Sequence, residues 1–201
     1  MDDTLRFYLQ QAMGIENIPM KQIDVRIVRY CEVRRSRAIL AGLDSIFFAA
    51  SATTNFASTA QRTEFRQRWL GNYLLHRPQE AFLALDSDDS PAGYLVGSLV
   101  DPASDPLQAG LDYFQSLAPQ TRHYPAHLHV NLAEQYRSHG VGTKLVEAFC
   151  THASARGAPG VHIVTGQGMR NVGFYQRCGF VEVGQAPWQG RTLVMLGRGL
   201  G

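Results

Sequence analysis

A strand-like run, Ala126-His127-Leu128-His129-Val130-Asn131-Leu132, leads into Arg137-Ser138-His139-Gly140-Val141-Gly142, and a helical pattern leads out of it. Strand, glycine-bearing turn and helix in that order restrict the chain to an α/β architecture with a helix start facing the end of a strand. Backbone N–H groups at a helix start lack intrahelical partners and the helix dipole adds partial positive charge, so such a turn suits an anion, above all a phosphate. Side chains at Gly140 and Gly142 would block the approach of a pyrophosphate. The helix is read from Val141, Leu145, Ala148, Phe149 and His152 at helical spacing, with Lys144, Glu147 and Ser154 outside and a stop at Gly157 before Pro159.

Two other phosphate motifs are excluded. A P-loop needs Gly-Lys-Ser/Thr, and Gly142-Thr143-Lys144 has the last two residues in the wrong order. A Rossmann turn needs a third glycine where Leu145 stands, with more strand–helix units to follow.

Downstream, Gly160-Val161-His162-Ile163-Val164-Thr165 is β-branched and apolar, a second strand. A short helix follows over Asn171-Val172-Gly173-Phe174-Tyr175-Gln176-Arg177-Cys178, with Gly179 at the cap and Phe180 opening another strand. This succession of strand, Arg-x-x-Gly-x-Gly, helix, strand, Asn-x-x-x-Tyr and Cys-Gly-Phe resembles the cofactor-binding half of the GNAT acetyltransferase superfamily from about Ala126 to Val183. Within it, Pro125 to His129 and Gly157 to His162 look most like the acetyltransferase-like domain of O-GlcNAcases and its stand-alone bacterial relatives.

The resemblance implies acetyl-coenzyme A as co-substrate. It places Leu132, Ala133 and Glu134 beside the pantetheine arm, and Arg137, Ser138, His139, Gly140, Val141, Gly142 and Thr143 around the diphosphate. Asn171 matches a residue that bonds the pantetheine or diphosphate, and Tyr175 matches the tyrosine that protonates the departing thiolate in many members. Acetyl transfer to an amine also needs the amine uncharged. His127, His129 and Asn131 share one face of their strand, and an imidazole there suits proton removal at neutral pH. His129, His127 and an ordered water all remain open as the base, because a one-residue slip at a bulge would exchange the faces. No third ligand accompanies His-x-His, so no metal is expected.

The front of the chain supplies the remaining elements. Val25 to Tyr30 reads as a strand, Glu32 to Ala50 as a helix, and Ser58-x-x-Gln61 as the capping box of a second helix carrying Phe65, Trp69, Tyr73 and Leu74. Ala81 to Leu85 and Gly93 to Val100 form a hairpin around Asp86 to Pro91, and Val181 to Gln185 and Thr192 to Leu196 form the last two strands. The expected fold is a single GNAT-like α/β domain over 1–201, with a mixed, mostly antiparallel sheet of about seven strands flanked by helices. Residues 1–22 are an N-terminal extension: a helix, a dimer arm or a tail. Residues 101–124 are an insertion, either a lid or a helix covering a sheet edge.

Composition narrows the partners. A net charge of +2 on 201 residues argues against nucleic acid, and no apolar run is long enough to span a membrane. Three scattered cysteines and the absence of a basic leader fit a reducing cytoplasm. The expected activity is acetyl transfer from acetyl-coenzyme A to an amine of a small molecule or a lysine, directly within a ternary complex; a non-catalytic acyl-coenzyme A sensor is the alternative. The acceptor is unassigned, a homodimer is open to the chain, and Asp101, Asp105, Asp112 and an exposed-turn Trp188 are candidate acceptor contacts.

Overall fold

The computed structural model describes residues 24–51 and 53–201. The expected N-terminal extension, 1–22, lies outside the described residues. Chain order follows the pattern read from the sequence. β1 (Arg26–Arg29) leads through a 3-10 turn at Tyr30–Glu32 into α1 (Arg37–Ala50). The helix begins five residues later than expected because Ser36 stops the chain from entering it sooner: its hydroxyl accepts the Ile39 N–H and holds extended backbone at the cap.

α2 (Thr59–Arg66) is capped by Ser58, whose hydroxyl accepts the Gln61 N–H, while the Gln61 side chain accepts from Ala57. A wide π-turn, Gln67–Gly71, joins it to α3 (Asn72–His76). At Gly71 a Cβ would lie 2.3 Å from Gln67 Oε1, so the glycine is what admits that side chain against the turn. The hairpin of β2 (Phe82–Leu85) and β3 (Pro91–Ser98) is closed by Asp86, whose carboxylate accepts the Asp88 and Ser90 N–H groups.

β4 (Ala126–Leu132), α6 (Val141–Ala155), β5 (Gly160–Gly166), α7 (Asn171–Arg177), β6 (Val181–Trp188) and β7 (Arg191–Gly199) follow an insertion holding the single turns α4 (Tyr113–Ser116) and α5 (Ala118–Thr121). The last hairpin is longer than expected. β6 runs on through Trp188, so Ala186 to Gly190 is not a turn; only Gln189 and Gly190, both at positive φ, make it. Pro187 is tolerated because β6 is the edge strand.

Seven strands make one sheet in the order β1-β2-β3-β4-β5-β7-β6, antiparallel except between β4 and β5. One face is covered by α6 and α7, with Leu145, Phe149, Ala153 and Tyr175 against Leu95, Leu128, Ile163 and Leu196. The opposite face carries α1 to α3, with Leu43, Phe47, Leu70 and Tyr73 against Leu83, Tyr94 and Val96. The insertion forms a third core, burying Leu111, Tyr113, Phe114 and Leu117 against Ala186, Leu193 and Met195 of the last hairpin. Among the described residues, no helix is long and apolar enough to cross a membrane.

Candidate active site

β4 and β5 pair at two positions only, Ala126 with Val161 and His127 with His162. Each strand is held along its outer edge, β4 by β3 through Leu132 and β5 by β7 through Gly166. The two therefore diverge inside one sheet and open a seam in which β4 presents an unpaired edge from Leu128 to Leu132, roughly 16 Å of strand. Unpaired backbone groups in a sheet invite an extended ligand. The register of β4 on β3 is unbroken from His127 to Leu132, so no slip exchanges its faces. Leu128, Val130 and Leu132 turn toward α6, and His127 and His129 toward the insertion and α3.

At the wide end stands the expected anion cradle. Gly140 caps α6 in the left-handed conformation, φ 77°, and a Cβ there would meet nothing within 4 Å. Its role is conformational, and because it has no side-chain oxygen to cap the helix, the first N–H groups stay free for a ligand. Gly142 has a different reason: it is buried, and a Cβ would press on the Phe174 ring at 3.1 Å and on Leu132 at 3.4 Å. It seats α6 against α7 rather than clearing open space in front of a phosphate.

Ser138 is also at positive φ, 64°. Arg137 donates from Nε to the Leu132 carbonyl at 3.4 Å, and Tyr136 donates to Asp86 at 2.8 Å, which ties the turn to the hairpin. The Ala133 N–H is spent on the Ala92 carbonyl, and Glu134 opens an exposed 3-10 turn. His139, Val141 and Thr143 complete the turn, with His139 and Thr143 exposed and Val141 buried in the core. Lys144, Arg170 and Arg177 are exposed beside it.

Tyr175 is buried on α7 over the α6 face of the seam, and burial pushes its phenol up, opposed by the backbone of Val130. Its hydroxyl keeps its proton at neutral pH. Asn171, at the start of α7, accepts the Thr165 hydroxyl at 3.0 Å and is exposed.

The narrow end closes on a cavity of about 110 Å³ on the opposite face. His127 and His129 both line it, while Asn131, the third residue of that face, donates to the buried Tyr94 hydroxyl at 2.8 Å. The strand pairing adds a third imidazole, His162, whose ring centroid lies 5.6 Å from that of His127. Burial lowers all three, His129 and His162 to about 4 and His127 well below its ordinary value, so each is neutral at physiological pH. His-x-His plus His162 is not a metal set: no group of three such ligands is placed to hold an ion among the described residues.

Aromatic rings wall the rest. Trp69, placed by the π-turn, stands edge-on to His129 at 5.4 Å, and Phe114 lies 6.0 Å from His162. Trp188 packs edge-on to Tyr113 at 5.4 Å, so it is a half-buried wall of the cavity rather than an exposed-turn aromatic. Asp105 is not an acceptor contact: it is buried, paired with Arg77 at 3.5 Å and bonded to the Leu107 N–H at 3.0 Å. A larger basin, about 570 Å³, lies between β1, the start of α1 and the β2–β3 hairpin, on the far edge of the sheet from the seam. The seam is the better candidate because unpaired backbone, an anion cradle and unpartnered buried imidazoles converge there.

Trp69, Phe114 and Tyr113 carry no motif that marks them in sequence, and nothing in the Gly157 to His162 stretch singles out His162 for a part in the site. The strand containing His162 reads as plain core, and only its pairing beside His127 reveals it.

A family model described as acetyltransferase (GNAT) family matches residues 44–180. Among solved structures, the protein SsHAT superposes with a TM-score of 0.68 at 21% identity, covering 89% of this chain and 99% of that one. The NatC complex bound to Gag peptide and CoA superposes with a TM-score of 0.60 at 15% identity, covering 89% and 100%. An N-acetyltransferase from Staphylococcus aureus Mu50 gives 0.56 at 14% identity, covering 89% and 99%. At these identities the likeness is one of fold.

Proposed function

The chain belongs to the GNAT acetyltransferase family, and from that premise we propose that it transfers an acetyl group from acetyl-coenzyme A directly to an amine, on a small molecule or a lysine side chain, within a ternary complex. The observation that carries this reading is the seam: open at a helix start that suits phosphates and closed at a cavity lined by neutral imidazoles.

The residues present fit the co-substrate. Free N–H groups at Val141, Gly142 and Thr143 suit its diphosphate, the unpaired edge of β4 suits an extended amide-bearing arm, and Asn171 stands at the start of α7 with its amide N–H groups available for that arm. When bound, acetyl-coenzyme A supplies an acyl group activated as a thioester, with a thiol as leaving group.

The protein's part is positioning and proton traffic. The amine must attack with its lone pair free, so its excess proton has to leave as the C–N bond forms. His129, the least buried of the three imidazoles, is the best placed of them to receive it, and its lowered basicity makes it a relay that passes the proton on rather than a lasting acceptor, with His127 enclosed behind it. Tyr175, on the α7 side, would supply its hydroxyl proton to the thiolate that leaves as the C–S bond breaks, and would regain one from solvent before the next turnover.

The test is calorimetric titration with acetyl-coenzyme A, followed by thiol release over an amine panel in the wild type and Tyr175→Phe. Micromolar binding and turnover that falls roughly 10²- to 10⁴-fold in the variant, with cofactor affinity within a few-fold, are expected. Binding without turnover on any amine would make the protein a sensor of acyl-coenzyme A.

A further inference from the structure

β3 and β4 run antiparallel with Gly93 opposite Leu132, so the turn that opens β3 lies beside the residues that leave β4. Two side chains use that proximity. The Tyr136 hydroxyl donates to Asp86 Oδ2 at 2.8 Å across 50 positions of sequence, while Asp86 Oδ1 accepts the Asp88 and Ser90 N–H groups at 3.0 and 2.9 Å. The carboxylate closes the hairpin with one oxygen and holds the outgoing segment with the other. Desolvation opposes its charge, but the Tyr136 hydroxyl and the two N–H groups hold the Asp86 carboxyl below its ordinary value. A bond to an ionised acceptor is stronger than one between neutral groups.

Beyond this point the backbone is bonded to nothing. The Tyr136 and Arg137 N–H groups meet the Ala133 and Glu134 carbonyls at 3.0 and 3.1 Å, and the next bonded backbone N–H is that of Lys144, on the Gly140 carbonyl. From Ser138 to Thr143 no N–H has an intramolecular partner among the described residues, which leaves them all free for an anion. The same stretch carries Ser138 at φ 64° and Gly140 at φ 77°. For a serine the left-handed conformation is disfavoured, and it persists only where the surroundings impose it. Ser138, His139 and Gly140 are exposed, so the restraint comes from the two ends of the stretch. Val141 is buried at one end. At the other, the Tyr136 ring packs on the core beneath α6 and its hydroxyl is fixed by Asp86, whereas Arg137 Nε reaches the Leu132 carbonyl only at 3.4 Å.

We propose that Asp86 and Tyr136 are a positioning pair for the co-substrate: the hairpin carboxylate holds the Tyr136 hydroxyl, and through it keeps the free N–H groups of 138–143 in the arrangement that receives the diphosphate. This rests on the acetyl-transfer reading above and adds two residues that touch neither co-substrate nor acceptor. Their effect is preorganisation. Without the bond, ordering the stretch falls to the incoming diphosphate and is subtracted from its affinity.

Tyr136→Phe keeps the ring on the core and removes only the hydroxyl. Calorimetric titration with acetyl-coenzyme A should show the dissociation constant of this variant weakened about tenfold, or ~1.4 kcal/mol. Amide exchange by NMR on the ligand-free protein should be at least tenfold faster at Tyr136 and Arg137. Asp86→Asn is the conservative rescue: its amide oxygen still accepts the two hairpin N–H groups and its N–H donates to the Tyr136 oxygen, so affinity should stay within threefold of wild type. In an Asp86→Ala background Tyr136→Phe should cost nothing further, because the partner is already gone. Arg26→Ala breaks the 2.6 Å pair with Asp89 on the same hairpin and should leave affinity within twofold.

A Tyr136→Phe protein of lowered Tm but unchanged affinity would make the hydroxyl merely structural and overturn the proposal. So would losses in Tyr136→Phe and Asp86→Ala that multiply in the double variant, or an Asp86→Asn protein as weak as Asp86→Ala. If the wild type itself binds no acetyl-coenzyme A, the acetyl-transfer reading falls, and the exchange rates at Tyr136 and Arg137 still decide whether the pair holds the turn.

Discussion

At the scale of single residues, burial decides the chemistry of the imidazole cluster. His129 and His162 are held near 4 against an ordinary 6.5 because the charged form would be desolvated; the neighbouring His162 adds to the cost at His129, whereas at His162 the Tyr124 carbonyl and Asp101 oppose it. Folded values below unfolded ones mean that the unfolded chain binds protons first as pH falls. Stability is therefore intact above about 6.5 and is lost as pH falls toward 4, at about 1.4 kcal/mol per pH unit for each group. Chemical denaturation across this window should show a falling midpoint, and His127→Leu should flatten the slope even if it lowers the plateau. A slope unchanged in the variant would mean that other groups govern acid lability. The phenol of Tyr175 is shifted by the same cause in the opposite sense, since its charged form is the deprotonated one.

Among elements, the turn into α6 depends on two glycines for unlike reasons. Gly140→Ala would force a Cβ into the left-handed region and should cost roughly 1–2 kcal/mol of stability, read by denaturant unfolding. Gly142→Ala leaves the backbone alone but displaces Phe174, 3.1 Å from the added carbon, and so tilts the helix start that faces the seam. A folded Gly142→Ala protein with acetyl-coenzyme A affinity weakened about tenfold, or ~1.4 kcal/mol, is expected. Unchanged affinity would move the phosphate site away from this turn. The π-turn at Gln67–Gly71 works similarly on the other face, where its extra residue swings Trp69 onto His129.

For the whole molecule, the seam is a sheet interrupted at its centre, and the two halves are joined there by two residue pairs only. A ligand that fills it binds the native state alone, so acetyl-coenzyme A at a hundredfold over its dissociation constant should add ~2.7 kcal/mol. For a chain of this size that raises Tm by roughly 5–10 °C in a thermal scan. The insertion belongs to the same scale. Leu111, Phe114 and Leu117 cover Leu193 and Met195 while Tyr113 and Phe114 also wall the cavity. Replacing 107–121 with a Gly/Ser linker should therefore lower Tm and raise the acceptor KM together. A variant of undiminished Tm with only a raised acceptor KM would mark the segment as a separable lid.

Most of the framework was legible from the order of residues, because its signals are local. The alternation from Ala126 to Leu132, the glycine turn, the helix stripe from Val141 and the capping serine at 58 each depend on neighbours within a few positions, and each lies where the pattern put it. The same locality explains the misjudged ends: Ser36 and the Gln189-Gly190 pair, not the hydrophobic pattern, set the start of α1 and the last turn. What no local pattern could reveal is the site's far end. His162 lies 35 residues from His127, and Trp69, Phe114 and Trp188 come from three further segments. Their meeting depends on how far β4 and β5 pair before they part, a quantity set by the packing of both outer edges and written in no single stretch of sequence.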